Sequence, residues 1–393
     1  MLSHRGQNRH VLAMRTKRFQ TGLMAAAICG VNLLFVVKYA PRTGTPWLAA
    51  AMVYILLFGA VLWLGGVPAI VRVFRRPGFY AAALVGAAAL LAIVMLQFDP
   101  ATLRSGRAPA INDWLGRFLH GEYPYGSGTS PSGFPFLFIL ALPFYLLGEV
   151  GWWHIASFVL FGLLLFGRHR STAPGAMAVL LCSPAFLYEV IVRSELFSNM
   201  VVVILYLWLF ERFRQDRSPG RMIALGLLGG LVLSTRGVVL IVYAVYFAYA
   251  FRRDLAAGIT FALGILISFA ATALPFVIWD ADRFIHSGPL AIQASYLPPV
   301  WTGAILLLGV ACGFRARSSS NALIGVAALL LVCAAVAFAR ALATYGWAQA
   351  VWQDKFDISY FSFSLAFLLL ANLSPALSQI LRIIPIKQLT DRI

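Results

Sequence analysis

LAAGITFALGILISFAATALPFVIW, residues 255–279, runs for twenty-five residues without an Asp, Glu, Lys or Arg. As a helix it would be about 37 Å long at 1.5 Å per residue, and about 20 apolar residues are enough to cross a bilayer. Its apolar positions are continuous rather than alternating. That excludes a barrel strand and leaves the helix as the way to satisfy backbone hydrogen bonds in lipid. Working outward, further uncharged windows lie at 19–37, 47–71, 77–98, 134–148, 150–167, 171–188, 196–210, 222–235, 237–251, 297–314, 318–339 and 358–381. The expected fold is all-α, a polytopic integral membrane bundle of about eleven to thirteen transmembrane helices.

Composition excludes the other classes. Of 393 residues, 61% are apolar and 11% charged, against about a quarter charged in soluble domains, so a soluble enzyme and a disordered chain are both ruled out. Cys29, Cys182, Cys312 and Cys333 all lie in apolar stretches, without paired or metal-ligand spacing. The net charge of +17 comes from 31 Lys+Arg against 14 Asp+Glu. These basic residues form short clusters between apolar runs, a pattern that orients a chain in a membrane rather than one that binds nucleic acid. No zinc-hydrolase spacing of His, no GxSxG elbow and no P-loop is present.

Placing the Lys/Arg clusters inside gives a cytoplasmic basic tail over 1–18, two N-terminal spans over 19–76, a core over 77–381 with a large outer loop at 98–133, and a cytoplasmic tail over 382–393. The N terminus is then cytoplasmic and the first window is read as a retained anchor rather than a cleaved signal. Parity requires one of 134–148 and 150–167, which meet at Glu149–Gly151, to be a partial span. Glu149 falls among the few acids of the inner face. Nine acids, Asp99, Asp113, Glu122, Glu189, Glu195, Asp280, Asp282, Asp354 and Asp357, fall outside.

In the outer loop, INDWLGRFLHG (111–121) has the i, i+3/4, i+7/8 apolar spacing of an amphipathic helix, with Asn112 as a cap and Gly121 as a stop. Asp113 lies on it, and Tyr123 and Tyr125 follow as an aromatic turn suited to an interfacial belt or to stacking on a sugar. In Pro184–Asn199, Glu189, Arg193 and Glu195 interrupt apolar sequence, with Glu189 and Arg193 at i, i+4 on one helical face. Charges at that depth are functional candidates by default. Arg236 stands alone between two short apolar halves, where a guanidinium suits an anionic group such as phosphate. Trp279–Pro299 adds Asp280, Asp282, Arg283 and His286.

Four of these stretches together resemble the GT-C superfamily of membrane glycosyltransferases. They are Asp113 followed by Gly121-Glu122-Tyr123-Pro124-Tyr125 and Phe134-Pro135-Phe136; the run Gly230-Leu231-Val232-Leu233-Ser234-Thr235-Arg236-Gly237, where Arg replaces the usual Lys; Pro275-Phe276 with Trp279-Asp280; and the succession of short paired helices over about 77–380. The chain departs from the family in its two additional leading spans and in having no soluble C-terminal domain. The resemblance implies transfer of a sugar from a polyprenyl-phosphate donor to a lipid or glycan acceptor at the outer leaflet, among membrane lipid and without nucleic acid. On that reading Asp113 is the catalytic base. Arg236, with Arg193 second, meets the lipid phosphate, while Glu195, Glu189, Tyr123, Tyr125, Asp280 and Arg283 line the substrate site. The scheme requires no metal, although Asp280 and Asp282 can hold a divalent cation. A transporter or lipid flippase, or a non-catalytic envelope-assembly protein, is the alternative; no matching halves of the transporter kind are visible.

Overall fold

The computed structural model describes residues 2–372 except 66, 101, 104, 105, 127 and 130; over 2–19 and at 372 it describes the backbone alone. The tail expected over 382–393 and the last part of the window ending at 381 lie outside the described residues. The regular elements are all helical: α1 (Leu2–Tyr39), α2 (Trp47–Leu64), α3 (Pro68–Phe74), α4 (Pro77–Leu96), α5 (Arg107–Leu119), α6 (Pro135–Leu146), α7 (Trp152–Arg168), α8 (Ala173–Leu181), α9 (Pro184–Ile191), α10 (Leu196–Phe213), α11 (Pro219–Leu233), α12 (Val239–Phe251), α13 (Leu255–Trp279), α14 (Ala281–His286), α15 (Pro289–Tyr296), α16 (Pro299–Arg315), α17 (Ser319–Trp347) and α18 (Ser362–Asn372), with a short 3-10 turn at Ile358–Phe361 ahead of α18. The basic head is the first part of α1.

Among the described residues, six helices are long and apolar enough to cross a membrane, or eight if each of two bent pairs is one span. The bends are 65° between α8 and α9, and 67° between α14–α15 and α16. Five shorter apolar elements, α6, α7, α11, α12 and the stretch Ile358–Ala371, account for the remaining uncharged windows. The chain is a multi-pass helical membrane protein. Proline starts many of these helices at a first-turn position where its missing N–H costs nothing.

The contacts divide the chain into two units. One comprises Met1–Ala87, Phe161–Leu187 and Leu368–Ile393. Within it Asn32 is fully buried and its side-chain carbonyl accepts hydrogen bonds from the Ser183 hydroxyl at 2.6 Å and the Ala185 N–H at 3.0 Å. This ties α1 to the α8–α9 bend, where the backbone donors at the start of α9 need partners.

The other unit, Ala88–Leu160 with Tyr188–Phe367, carries all the candidate site residues. Its helices approach through glycine. A Cβ on Gly226 would strike the Phe261 carbonyl and one on Gly230 the Ile265 carbonyl, so α11 lies backbone to backbone along α13, as small residues four apart permit in membranes. Gly313 of α16 does the same against the Val245 carbonyl of α12, while Gly309 faces the Ala244 side chain. Against α6 and the end of α13 packs α5, whose Ala108, Ile111, Trp114 and Leu115 are buried. Trp114 stacks on Phe138 with centroids 4.2 Å apart.

Two local expectations are corrected here. The surface helix begins at Arg107 and not near Asn112, because Pro109 is accommodated in its first turn; Gly121, at φ 73°, does end it. Glu189 and Arg193 do not share a helical face. Arg193 adopts φ 52°, the Ser194 N–H reaches back to the Glu189 carbonyl and the Arg193 N–H to the Val190 carbonyl, the bond pattern of a helix terminus closed by a left-handed residue. The ion pair of Arg193 is instead with Glu149, at 3.3 Å. Glu149 follows α6, and α6 starts beside the Ser234–Thr235 turn, where the Phe134 and Phe136 N–H groups bond the Thr235 and Ser234 carbonyls.

Candidate functional site

Arg236 lies in the five-residue break between α11 and α12, and the break is held from several directions. Thr235 bonds the Val232 carbonyl at 2.6 Å, Thr272 of α13 bonds Ser234 at 2.6 Å, and the Gly237 N–H donates to the Gln293 side-chain carbonyl at 2.9 Å. Gln293 in turn donates to the Ser132 carbonyl at 2.8 Å, while Arg236 Nη1 donates to the Ser132 hydroxyl at 3.0 Å. These bonds fix the turn that carries the guanidinium, and Ser132 holds one of its amino groups. The Arg236 side chain is 4% exposed.

Around it is a chain of opposite charges. Glu195, at the start of α10 and 3% exposed, ion-pairs with Arg236 through Oε1, and the same oxygen lies 3.4 Å from Arg107 Nη1. Arg107 Nη2 donates to Asp357 Oδ2 at 2.5 Å and to the Ser359 hydroxyl at 3.1 Å. Burial opposes the charge on Arg107, but Asp357, Tyr360 and Glu189 together outweigh it, and the guanidinium is held above its ordinary value. Asp357 itself caps the 3-10 turn, accepting from the Ser359 N–H at 2.9 Å. The two guanidiniums lie against aromatic faces, Arg107 5.1 Å from the Tyr360 centroid and Arg236 5.8 Å from that of Phe363. Glu189, fully buried, is within electrostatic reach of Arg107, Asp357 and Arg236.

Arg236 and Tyr360 also line a groove of about 470 Å³, within the range of small-molecule sites. Arg236, Gln293 and Tyr360 are among its few polar lining residues, and Ile241, Leu297, Leu306, Leu330 and Phe363 belong to its largely apolar walls. The arrangement fits an amphiphile with an apolar tail and an anionic head.

Sequence reasoning reached Arg236, Glu195 and Glu189, and the structure brings these together. Arg107 and Asp357 were not singled out: Arg107 was one of several basic residues in a long loop, Asp357 one of nine outer acids. The remaining candidates have other neighbours. Asp113 accepts from the Thr129 hydroxyl at 2.6 Å and from Arg117 Nε at 3.1 Å. Arg193 pairs with Glu149 and donates to the Ile191 carbonyl. Tyr123 and Tyr125 are packed into the aromatic core under α5. The Tyr123 hydroxyl donates to the Phe276 and Asp280 carbonyls at the end of α13, and that of Tyr125 to the Gly133 carbonyl. Asp280 caps α14 through the Arg283 N–H and pairs with the Arg283 guanidinium at 3.3 Å. Among the described residues no three His, Cys, Asp or Glu side chains converge as metal ligands.

Compared with protein-family models, with curated proteins and with solved structures, the chain matches none.

Proposed function

We propose that this protein is a membrane glycosyltransferase of the GT-C kind, moving a sugar from a polyprenyl-phosphate donor to a lipid or glycan acceptor on the outer side, with its N terminus and the Arg212–Arg221 loop cytoplasmic. The observation that carries the reading is the buried Arg236 guanidinium, held by Ser132 and Glu195, in the lining of a largely apolar groove. An isoprenoid tail needs apolar walls, and its phosphate needs a cation positioned before it arrives. During transfer the acceptor oxygen attacks the sugar carbon, the acceptor proton passes to a carboxylate, and the bond from that carbon to the phosphate oxygen breaks. Negative charge then grows on the phosphate, where Arg236 stabilises it.

Asp113 is the proposed base. It accepts hydrogen bonds from Thr129 and Arg117, which orient its carboxylate. The test is sugar transfer from polyprenyl-phosphate donors by the purified full chain in liposomes, comparing wild type with Asp113→Asn and Arg236→Ala. Transfer that is lost in both variants while they remain folded upholds the reading. Absence of transfer with every such donor, together with movement of the lipid between leaflets, replaces it with a flippase.

A further inference from the structure

The contacts of Glu195 are unusual for a structural ion pair. One carboxylate oxygen, Oε1, serves both Arg107 and Arg236, while Oε2 is buried without a hydrogen-bond partner among the described residues. Nε of Arg236 is likewise buried and unpartnered. A guanidinium fork binds best when two of its N–H groups meet two oxygens, so this pairing leaves half of the fork unused on both sides. Two guanidiniums cannot be buried without counterions except at high cost, and Asp357 and Glu195 supply those two negative charges. One turn along α10, four residues from Glu195, Asn199 is fully buried with both side-chain polar atoms unpartnered. Its amide is a hydrogen-bond donor without an acceptor, on the helical face that Glu195 occupies.

We propose that Glu195 is an internal occupant of an anion site. It balances the arginine pair when the groove is empty, and a phosphoryl group displaces it from Arg236 by offering the fork two oxygens at once, whereupon the released carboxylate is received by the Asn199 amide. The inference rests on the reading that the groove's ligand carries a phosphoryl group, and it adds that affinity for that group is set by competition with Glu195.

The experiment measures binding of two probes, inorganic phosphate and a polyprenyl monophosphate in detergent micelles, to the purified full chain. Glu195→Gln keeps the shape but removes the competing charge, so it should bind the lipid monophosphate at least about tenfold more tightly than wild type. Glu195→Asp keeps the charge, shortens its reach and should also bind more tightly, which preserves the test if the Gln variant does not fold. Asn199→Ala should weaken binding in the wild type yet change nothing in the Glu195→Gln background, a coupling that a merely structural role for either residue would not produce. Inorganic phosphate following the same order with weaker binding shows that the exchange belongs to the phosphoryl group and that the groove holds the tail. Wild-type binding of the lipid with no tightening in either Glu195 variant overturns the exchange and leaves the proposed function standing. Failure of every variant to bind either probe overturns both.

Discussion

Replacing Arg236 by Ala tests the site most directly, because stability and ligand binding should respond differently to its repair. The pair with Glu195 is almost completely buried, with side chains 4% and 3% exposed. Removing one partner of such a pair costs about 3–5 kcal/mol, and the 3.4 Å contact of Glu195 with Arg107 puts the loss near the lower end, about 3 kcal/mol. The guanidinium would also take away two charge-assisted hydrogen bonds to the donor phosphate at about 1.5 kcal/mol or more each, hence about 100-fold in donor affinity. The double variant Arg236→Met with Glu195→Gln removes both charges and replaces the cation by a side chain of similar length. It should regain most of the stability, since a neutral buried pair carries no desolvation penalty, while the affinity stays lost. Thermal unfolding in detergent reads the first quantity, and titration with a polyprenyl monophosphate reads the second. Wild-type donor affinity in the double variant would refute Arg236 as the phosphate ligand, and a double variant as unstable as Arg236→Ala would refute the buried pairing.

Asp113→Asn should lower the transfer rate by at least about 100-fold with donor binding nearly intact; a fully active variant refutes the base. Gly237→Ala places a methyl group 2.5 Å from the Gln293 carbonyl oxygen, so it should displace the Gln293–Ser132 support of Arg236 and weaken donor binding with little change in unfolding temperature. Tyr123→Phe removes a hydroxyl that serves two carbonyls and should cost about 1 kcal/mol. Burial and the Asp280 carboxylate push the Tyr123 phenol up to about 12, above its unfolded value of about 10. The stability it contributes is therefore complete below about pH 10 and disappears as pH rises towards 12, a decline that Tyr123→Phe should lack when thermal unfolding is followed against pH. Cysteines introduced singly at Ser127 and Ser218 should react with an impermeant maleimide from opposite sides of the membrane, and labelling of both from one side would overturn the proposed orientation.

Uncharged windows and the Lys/Arg pattern were sufficient to establish a helical membrane protein, because the bilayer penalises every unsatisfied backbone group and every stray charge and so writes its constraint into local composition. The same penalty exposed Arg236, Glu195 and Glu189: each is a charge inside apolar sequence and so stands out without knowledge of its neighbours. Which charge answers which is a different matter. Arg107 and Asp357 are 250 positions apart, and nothing in the periodicity around either residue encodes that contact; it arises when α5 packs against α6 and the end of α13 and the chain after α17 turns back at Asp357. The Glu189–Arg193 pairing inferred from i, i+4 spacing failed because the helix closes in a left-handed turn at Arg193, a conformation that glycine signals and arginine conceals. Tyr123 and Tyr125 read equally well as belt, stacking platform or core, since an aromatic ring satisfies all three, and only the placement of α13 against α5 put them in the core. Local sequence thus determined what enters the membrane and which side chains had to find a partner there, while the partners themselves, and the groove beside them, were decided by helix packing at glycine contacts that bring distant segments together.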